Sequence, residues 1–309
     1  TFGDGLTDIG KYAFYGCGGL SSIKIPDSVI NIGNYAFSKC VGIESVTIGD
    51  GVENVGDYAF SGCTGVKTVI LGNNMKRISM RAFENCTSLV SITIPFGVTS
   101  IYNYAFYNCT SLKNVTMPDS VTNIYNYAFY NCTSLSSIVI PASVTGISSY
   151  AFSNCTGLTS VSIPDNVTSI NKYAFTGFKG TIYCAENSAA HNLAIENGYN
   201  YVLVNVFATG NSHIDYENLT IKTSVENCSD ITELLSVSSS SSIVVSSGSQ
   251  DYGVEVLGTG TVISVYEGDT FIGDFVLVVD NDTNGDSVCD VLDCALVERA
   301  SNGNATLSG

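Results

Sequence analysis

Apolar and polar positions in the first two thirds of the chain return with a fixed step. Cys17, Cys40, Cys63, Cys86, Cys109, Cys132 and Cys155 are each 23 residues apart, and the next place in the series holds Phe178. Ala13, Ala36, Ala59, Ala82, Ala105, Ala128, Ala151 and Ala174 keep the same step, each followed by phenylalanine, from Phe14 to Phe175. All five prolines (Pro26, Pro95, Pro118, Pro141 and Pro164) share one register of the repeat. A segment such as Ser137-Ile138-Val139-Ile140-Pro141 alternates with period two and stops at proline, as a short strand does. The Tyr-Ala-Phe-x-Asn-Cys segment is too short for a stable helix and predicts a single helical or 3₁₀ turn on the opposite side.

A unit with one strand and one turn cannot bury its own apolar side, but stacked neighbours can. The predicted fold class is therefore an α/β-type repeat solenoid, with a parallel sheet along one side and rows of identical side chains inside. At about 4.8 Å per coil, eight units span about 35 Å. The ladder of thiols could be read as a disulfide or metal framework. Equivalent residues on neighbouring coils, however, keep their Cβ atoms wider than the roughly 3.5–4.5 Å of a disulfide. No Cys-x-x-Cys pair exists to hold zinc. The thiols read instead as small hydrophobes packed in a core row.

The phased set Ile124, Ala128-Phe129, Cys132, Leu135, Ile138 and Ile140-Pro141 resembles the signature of the BspA-like leucine-rich repeat family. The resemblance covers about two thirds of the chain. It implies a bacterial-type secreted or cell-surface protein, with adhesion to host matrix proteins among the family's roles. Thr1-Phe2-Gly3-Asp4 aligns with Lys24-Ile25-Pro26-Asp27, so the chain is expected to begin inside a strand, with earlier repeats or a cap upstream. Neither Met nor a signal peptide opens it, which reads as a mature or trimmed form. At the other end Thr181-Ile182-Tyr183 predicts a last strand. Residues 187–198 then read as a helix with a Ser or Asn N-cap and a Gly stop, followed by a closing strand at residues 201–204. This is the C-terminal cap of a solenoid domain spanning 1–204.

The outward strand positions are the candidate binding surface. Lys24, Thr47, Thr68, Thr93, Asn114, Thr116, Ser137 and Ser160 are the partner-binding candidates, joined by Ser22, Ser45, Ile70, Ser91, Val139 and Ser162. This face is rich in hydroxyls, with one lysine and no acid, and suits a protein or glycan ligand held by hydrogen bonds. The alternative is that Ser and Thr merely solvate an exposed sheet. A second candidate is a tyrosine-rich convex side carrying Tyr102, Tyr107, Tyr125 and Tyr130. Asn85, Asn108, Asn131 and Asn154 form Asn-Cys-Thr sequons that recur because the unit recurs, without any need for glycosylation. Gly49 and Gly72 replace proline, and Arg81 replaces tyrosine; the sequence offers no account of these.

Charge divides the chain. Residues 1–204 hold 12 acids and 10 bases, whereas residues 205–309 hold 16 acids and 2 bases. Alternating apolar runs at residues 219–222, 242–245, 261–265 and 275–279 predict a small β-rich domain over 205–279, with a short helix at residues 230–235. Residues 280–309 contain one constellation with chemistry. Asp282, Asn284, Asp286, Asp290 and Asp293 fall at loop positions 1, 3, 5, 9 and 12, with the carbonyl of Val288 at position 7. Ca²⁺ takes six to eight oxygen ligands, and this spacing wraps them around one ion. An apolar-patterned helix over residues 291–296 is expected to follow. The segment resembles the first half of a type I dockerin, which implies Ca²⁺ as cofactor and a cohesin as partner. Ser287 stands where glycine is usual, Glu298 replaces a typical lysine beside Arg299, and the chain stops at Gly309 before any second loop. Four cysteines, Cys184, Cys228, Cys289 and Cys294, lie outside the ladder, and sequence leaves their pairing open.

The net charge of −16 argues against nucleic-acid and anionic-membrane partners. No run of about 18 apolar residues is present, so no membrane-spanning helix is predicted. Two histidines, His191 and His213, and no tryptophan leave little for catalysis. Neither histidine is spaced with a nucleophile or acid in a recognisable motif, and the reading is that the chain is not an enzyme. The leading function is an extracellular or cell-surface binding or adhesion protein that presents a rigid repeat surface to a protein or polysaccharide. The alternative is a scaffold, cellulosome-like component attached through a dockerin–cohesin interaction.

Overall fold

A computed structural model describes residues 2–3 and 5–204 in full and, beyond 204, only the backbone of the strands lying between 206 and 298. Two compact units divide the chain, Thr1–Val202 and Leu203–Gly309. The first is the expected parallel-sheet solenoid. Its longer strands, Ser22–Ile25, Ser45–Ile48, Thr68–Ile70, Ser91–Thr93 and Asn114–Thr116, form one ladder. Ser137–Val139, Ser160–Ile163, Thr181–Cys184 and Asn200–Leu203 form the next. Register follows the repeat: Ser22 lies opposite Ser45, Ile23 opposite Val46 and Ile25 opposite Ile48. A second set of two-residue strands, among them Asn31–Ile32, Asn54–Val55, Asn123–Ile124 and Gly146–Ile147, runs along another side. Each unit therefore carries two strands, where the sequence predicted one. The missed strand is too short to alternate over a readable window.

The core is a set of stacked rows. Phe14, Phe37, Phe60, Phe83, Phe106, Phe129, Phe152 and Phe175 lie one above another with ring centroids 5.1–5.6 Å apart and planes within 12° of parallel. The alanine before each is buried from Ala36 onward. Cys40, Cys63, Cys86, Cys109, Cys132 and Cys155 form the adjoining row, all buried and all free thiols. Each donates its S–H to the carbonyl oxygen of the phenylalanine 26 residues earlier, at 2.9–3.3 Å. A thiol is thus both filler and weak donor. Cys17, in the first of these coils, is exposed.

The segment expected as a helical or 3₁₀ turn is neither. Alternate N–H groups bond within the coil and to the next coil: Ala13 N–H donates to Gly10 O, whereas Phe14 N–H donates to Ala36 O at 2.7 Å. This zigzag requires two left-handed residues per unit. Tyr12, Tyr35, Tyr58, Tyr104, Tyr127 and Tyr150 have φ of 58–60°, and Asn85, Asn108, Asn131 and Asn154 have φ of 57–60°. For a tyrosine this costs about 1–2 kcal/mol. Stacking offsets the cost: Tyr12 lies 4.9 Å from Tyr35, Tyr35 lies 4.5 Å from Tyr58, and Tyr104, Tyr127, Tyr150 and Tyr173 continue at 4.8–5.3 Å.

Arg81 fills the gap in this row. Its guanidinium sits 5.4 Å from the Tyr58 ring and 4.1 Å from the Tyr104 ring, a cation sandwiched where an aromatic would stand. The same group pairs with Glu84 at 2.5 Å, and the nearly buried Glu84 also accepts from the Ser61 hydroxyl at 3.1 Å. The Gly49 and Gly72 replacements also gain a reason. A Cβ on Gly72 would lie 2.2 Å from Gly49 O, so the two coils approach too closely there for side chains.

The end of the array closes as predicted. Ser188 caps the helix Ala189–Asn197, and its hydroxyl accepts from His191 N–H at 3.2 Å. Gly198 ends the helix in the left-handed conformation at φ 68°. Phe178, in the cysteine register, is buried against Phe175 and meets the Tyr199 ring edge-on at 5.8 Å.

In the second unit, Ser241–Ser246, Thr261–Glu267, Thr270–Asp280 and Val291–Glu298 form a four-stranded antiparallel sheet. Val206–Ala208 pairs with Leu235–Val237, and His213–Asp215 pairs with Thr220–Lys222. The helix expected over residues 291–296 is instead the edge strand Val291–Glu298, paired with Thr270–Asp280. The edge of an eleven-residue strand offers its backbone groups to Val291–Glu298, and that pairing overrides a weak helical pattern. Leu235 likewise lies in a strand, and the rest of the helix expected at 230–235 falls outside the described residues.

The thiol row makes two linked expectations. Under native conditions an alkylating reagent followed by peptide mapping should label Cys17 while Cys63, Cys86, Cys109 and Cys132 stay protected until unfolding. Burial pushes the Cys63 and Cys109 thiols up to about 12, whereas an unfolded chain's thiols ionise from about pH 8.5. Stability from the neutral row is therefore complete below about pH 8.5 and is lost as pH rises towards 12. Tm should fall over that window, less steeply in a Cys63→Ala, Cys109→Ala variant. For the aromatic row, Arg81→Ala should cost about 3 kcal/mol, because it leaves Glu84 without its cation. The Arg81→Tyr, Glu84→Ser double variant, which restores the repeat residues at both places, should recover most of that loss in urea melts of the two proteins.

Candidate functional site

The period-two alternation that buries Ile23, Val46, Ile92 and Ile138 turns the intervening residues outward. Lys24, Thr68, Thr93 and Asn114 are exposed there, and Thr47, Thr116, Ser137 and Ser160 are half-exposed. Parallel register makes them continuous rows: Ser22, Ser45, Thr68, Ser91 and Asn114 lie opposite one another in turn, and Lys24 lies opposite Thr47, which lies opposite Ile70. Ile70 stands 62% exposed, an apolar point in a hydroxyl field. All eight residues singled out from the sequence thus reach one sheet face, split between its two ladders.

Several threonine hydroxyls elsewhere on the solenoid are used internally. Thr99, Thr110, Thr122, Thr133, Thr159 and Thr168 each donate to a carbonyl oxygen of the preceding coil at 3.1–3.4 Å. On the sheet face, Thr47, Thr68, Thr93, Thr116, Ser137 and Ser160 make no side-chain hydrogen bond among the described residues. Their donors and acceptors therefore point to solvent. The charged pair near this face, Lys67 with Glu44 at 3.1 Å, is exposed at both ends and adds little to stability.

Tyrosine edges form a second surface. Tyr107 stacks on Tyr130 at 5.0 Å and Tyr102 on Tyr125 at 5.1 Å, beside the Tyr104–Tyr127 pair. The four tyrosines chosen from the sequence are therefore coil-to-coil stacks as well as surface. The sequons are part of a polar ladder. Asn108 Nδ2 donates to Asn85 Oδ1 at 2.8 Å, Asn131 Nδ2 to Asn108 Oδ1 at 2.6 Å, and Asn154 Nδ2 to the Tyr130 hydroxyl at 2.9 Å. Half-buried amides engaged in this way have an internal role that accounts for their recurrence.

His191 is buried in the cap, where its Nδ1 accepts from Asn187 N–H at 3.0 Å and its ring lies 4.8 Å from Tyr201. It has a structural position rather than a place in a cleft. Among the described residues no cluster of three or more His, Cys, Asp or Glu side chains is arranged to hold a metal. Of the calcium-loop residues, Asp282, Asn284, Asp286, Val288 and Asp290 lie outside the described residues, and Asp293 lies within the strand Val291–Glu298. Cys228 and Cys289 are also outside them, and Cys184 is a buried free thiol.

No curated protein matches the chain. Among solved structures, a leucine-rich repeat protein from Bacteroides ovatus is 27% identical, with a TM-score of 0.43, covering 58% of this chain and 59% of that one. A leucine rich cell surface protein from Faecalibacterium prausnitzii is 28% identical, with a TM-score of 0.39, covering 59% and 66%. A leucine-rich repeat protein from T. pallidum is 23% identical, with a TM-score of 0.48, covering 64% and 90%. The chain thus spans less than two thirds of the first two relatives' length. The profile of the BspA type leucine-rich repeat region matches in six copies over residues 1–113, 76–188 and 123–249. With that profile covering well over half of its length and the stacked coils carrying the repeat residue for residue, the chain belongs to the BspA-type leucine-rich repeat family.

Proposed function

We propose that the chain is an extracellular or cell-surface binding protein, and that its hydroxyl-rich sheet face meets a protein or polysaccharide partner, a host matrix protein being one candidate. The observation that carries this is a contrast between hydroxyls: flank threonines such as Thr99, Thr122 and Thr159 close onto neighbouring coils, whereas Thr47, Thr68, Thr93, Ser137 and Ser160 stay unbonded in one continuous sheet face. A rigid array of unused donors and acceptors can bind an extended partner without ordering itself first. The near absence of charge on this face favours hydrogen bonding and apolar contact at Ile70 over electrostatic steering. No helix among the described residues is long and apolar enough to cross a membrane.

A second reading rests on the oxygen spacing of residues 282–293, which suits one Ca²⁺ and a dockerin-like attachment to a cohesin. In that reading the repeats are the cargo, and Ca²⁺ is the cofactor of the tail alone.

The two readings separate by experiment. On a panel of matrix proteins and glycans, the full chain should bind at least one immobilised partner. Thr47→Glu with Thr93→Glu should reduce that binding at least about tenfold, through buried unpaired charge, at unchanged Tm. A panel without a hit, or a variant that binds as before, removes the sheet-face reading. For the tail, 1 mM Ca²⁺ (on the order of a weak extracellular site's Kd) should raise the melting temperature of the C-terminal unit. Asp282→Ala with Asp293→Ala should abolish the shift; a wild-type chain indifferent to chelator refutes the calcium site.

A further inference from the structure

The second, short-stranded ladder has one break in its outward row. Asn123, Gly146 and Ser169 lie opposite one another in parallel register, so the middle coil contributes no side chain. A cavity of about 470 Å³ opens there across three coils, a volume within the range of small-ligand sites, about 300–1,000 Å³. One wall is Tyr125. One of its faces stacks on Tyr102 at 5.1 Å, and at the equivalent place in the next coil stands Ser148, so no ring covers the other face among the described residues. The lining adds the hydroxyls of Ser148, Ser149 and Ser169, none of which makes a side-chain hydrogen bond among the described residues. Lys172 borders the notch with its ammonium over the Tyr173 ring at 4.9 Å, and the lining holds no carboxylate.

A free aromatic face beside unbonded hydroxyls, with no side chain at Gly146 between them, matches one ligand chemistry. A pyranose ring presents a C–H face that can lie on an aromatic ring, and hydroxyls around its edge that exchange hydrogen bonds with Ser, Asn and Lys. Residues 1–204 hold 12 acids and 10 bases, so the solenoid carries no strong basic field to draw in an acidic polymer. We infer that the Gly146 notch is a binding site for one unit of a neutral hexose oligosaccharide. The inference rests on the reading of the chain as a binding module, but uses a different face from the long-stranded sheet.

Gly146→Asn tests it directly. Asparagine is the residue of this register in Asn31, Asn54 and Asn123, and a Cβ at position 146 would meet only Ser169 O at 3.6 Å and Ser169 Cβ at 3.9 Å. The variant should therefore fold normally while filling the notch. Titration calorimetry of the full chain against cellohexaose, maltohexaose and mannohexaose should show binding of at least one. Gly146→Asn and Tyr125→Ala should each weaken it by about tenfold or more, with Gly146→Asn leaving Tm unchanged. No binding by any of the three sugars, or equal binding by wild type and Gly146→Asn, overturns the site. The Thr47→Glu, Thr93→Glu variant, run beside them, tells the two surfaces apart. If it alone loses partner binding, the notch fails and the sheet-face reading stands; if sugar binding is lost only in Gly146→Asn, the notch stands by itself.

Discussion

Aromatic stacking in step with the strand spacing is the constraint on which the solenoid depends. Parallel strands sit about 4.8 Å apart, and offset-stacked rings favour centroid separations from about 4.5 Å upward. Because every unit has the same length, the backbone ladder delivers each phenylalanine to a place where it can stack, and the observed 5.1–5.6 Å separations fit both needs. Burying each ring is worth about 1.5–3 kcal/mol, but only once a neighbour covers it. Stability is therefore a property of adjacent coils. Insertion of one residue in a unit would move its phenylalanine, cysteine and alanine out of three rows at once.

The same coupling explains why the chain tolerates strained residues. The seven segments from Tyr12 to Tyr150 each hold a left-handed tyrosine or, at Arg81, its replacement, and four of them hold a left-handed asparagine too. For the tyrosines nothing local favours this. What favours it is the carbonyl of the next coil, which receives the N–H that such a backbone turns outward. The side chain then joins a row whose other members have met the same cost. Arg81 shows how far the row, rather than the residue, is the unit of design. An arginine can stand in a tyrosine column because its planar cation stacks on both sides, provided a carboxylate such as Glu84 balances it.

The rows were legible in the sequence because identical residues recur at one spacing: the cysteine column, the Ala-Phe column and the alternating strand ending in proline all came from that period. The capping helix was legible through Ser188 and Gly198, whose chemistry at helix ends is local. Other features were not. Asn31–Ile32 and its equivalents are two-residue strands, and their pairing depends on a neighbouring coil rather than on any pattern of their own. The turns were misjudged because the identity of a tyrosine says nothing about a positive φ. Val291–Glu298 was misjudged because its apolar spacing is compatible with either structure, and its partner strand decides. On the candidate face, the sequence named the outward residues but could not separate bonded from unbonded hydroxyls. Thr93 and Thr99 look alike in the chain and differ only in what the preceding coil places beside them.

That difference suggests where such a repeat can acquire function. Many recurring surface side chains are absorbed by the array: Asn54 bonds to Asn31, Asn131 to Asn108, and the tyrosines lie against one another. A repeated polar group is satisfied by its own copy one coil away, so regularity alone leaves little for a ligand. Binding capacity therefore concentrates where copies cannot reach each other or where a copy is missing. The hydroxyls of the long-stranded face are short and point straight out, and parallel register keeps them from bonding along the row. The Gly146 position removes a member from a row whose neighbours remain. In this fold a ligand can be met at periodic groups that their own copies leave unbonded, as proposed for the hydroxyl rows, or at a departure from the period, as proposed for Gly146.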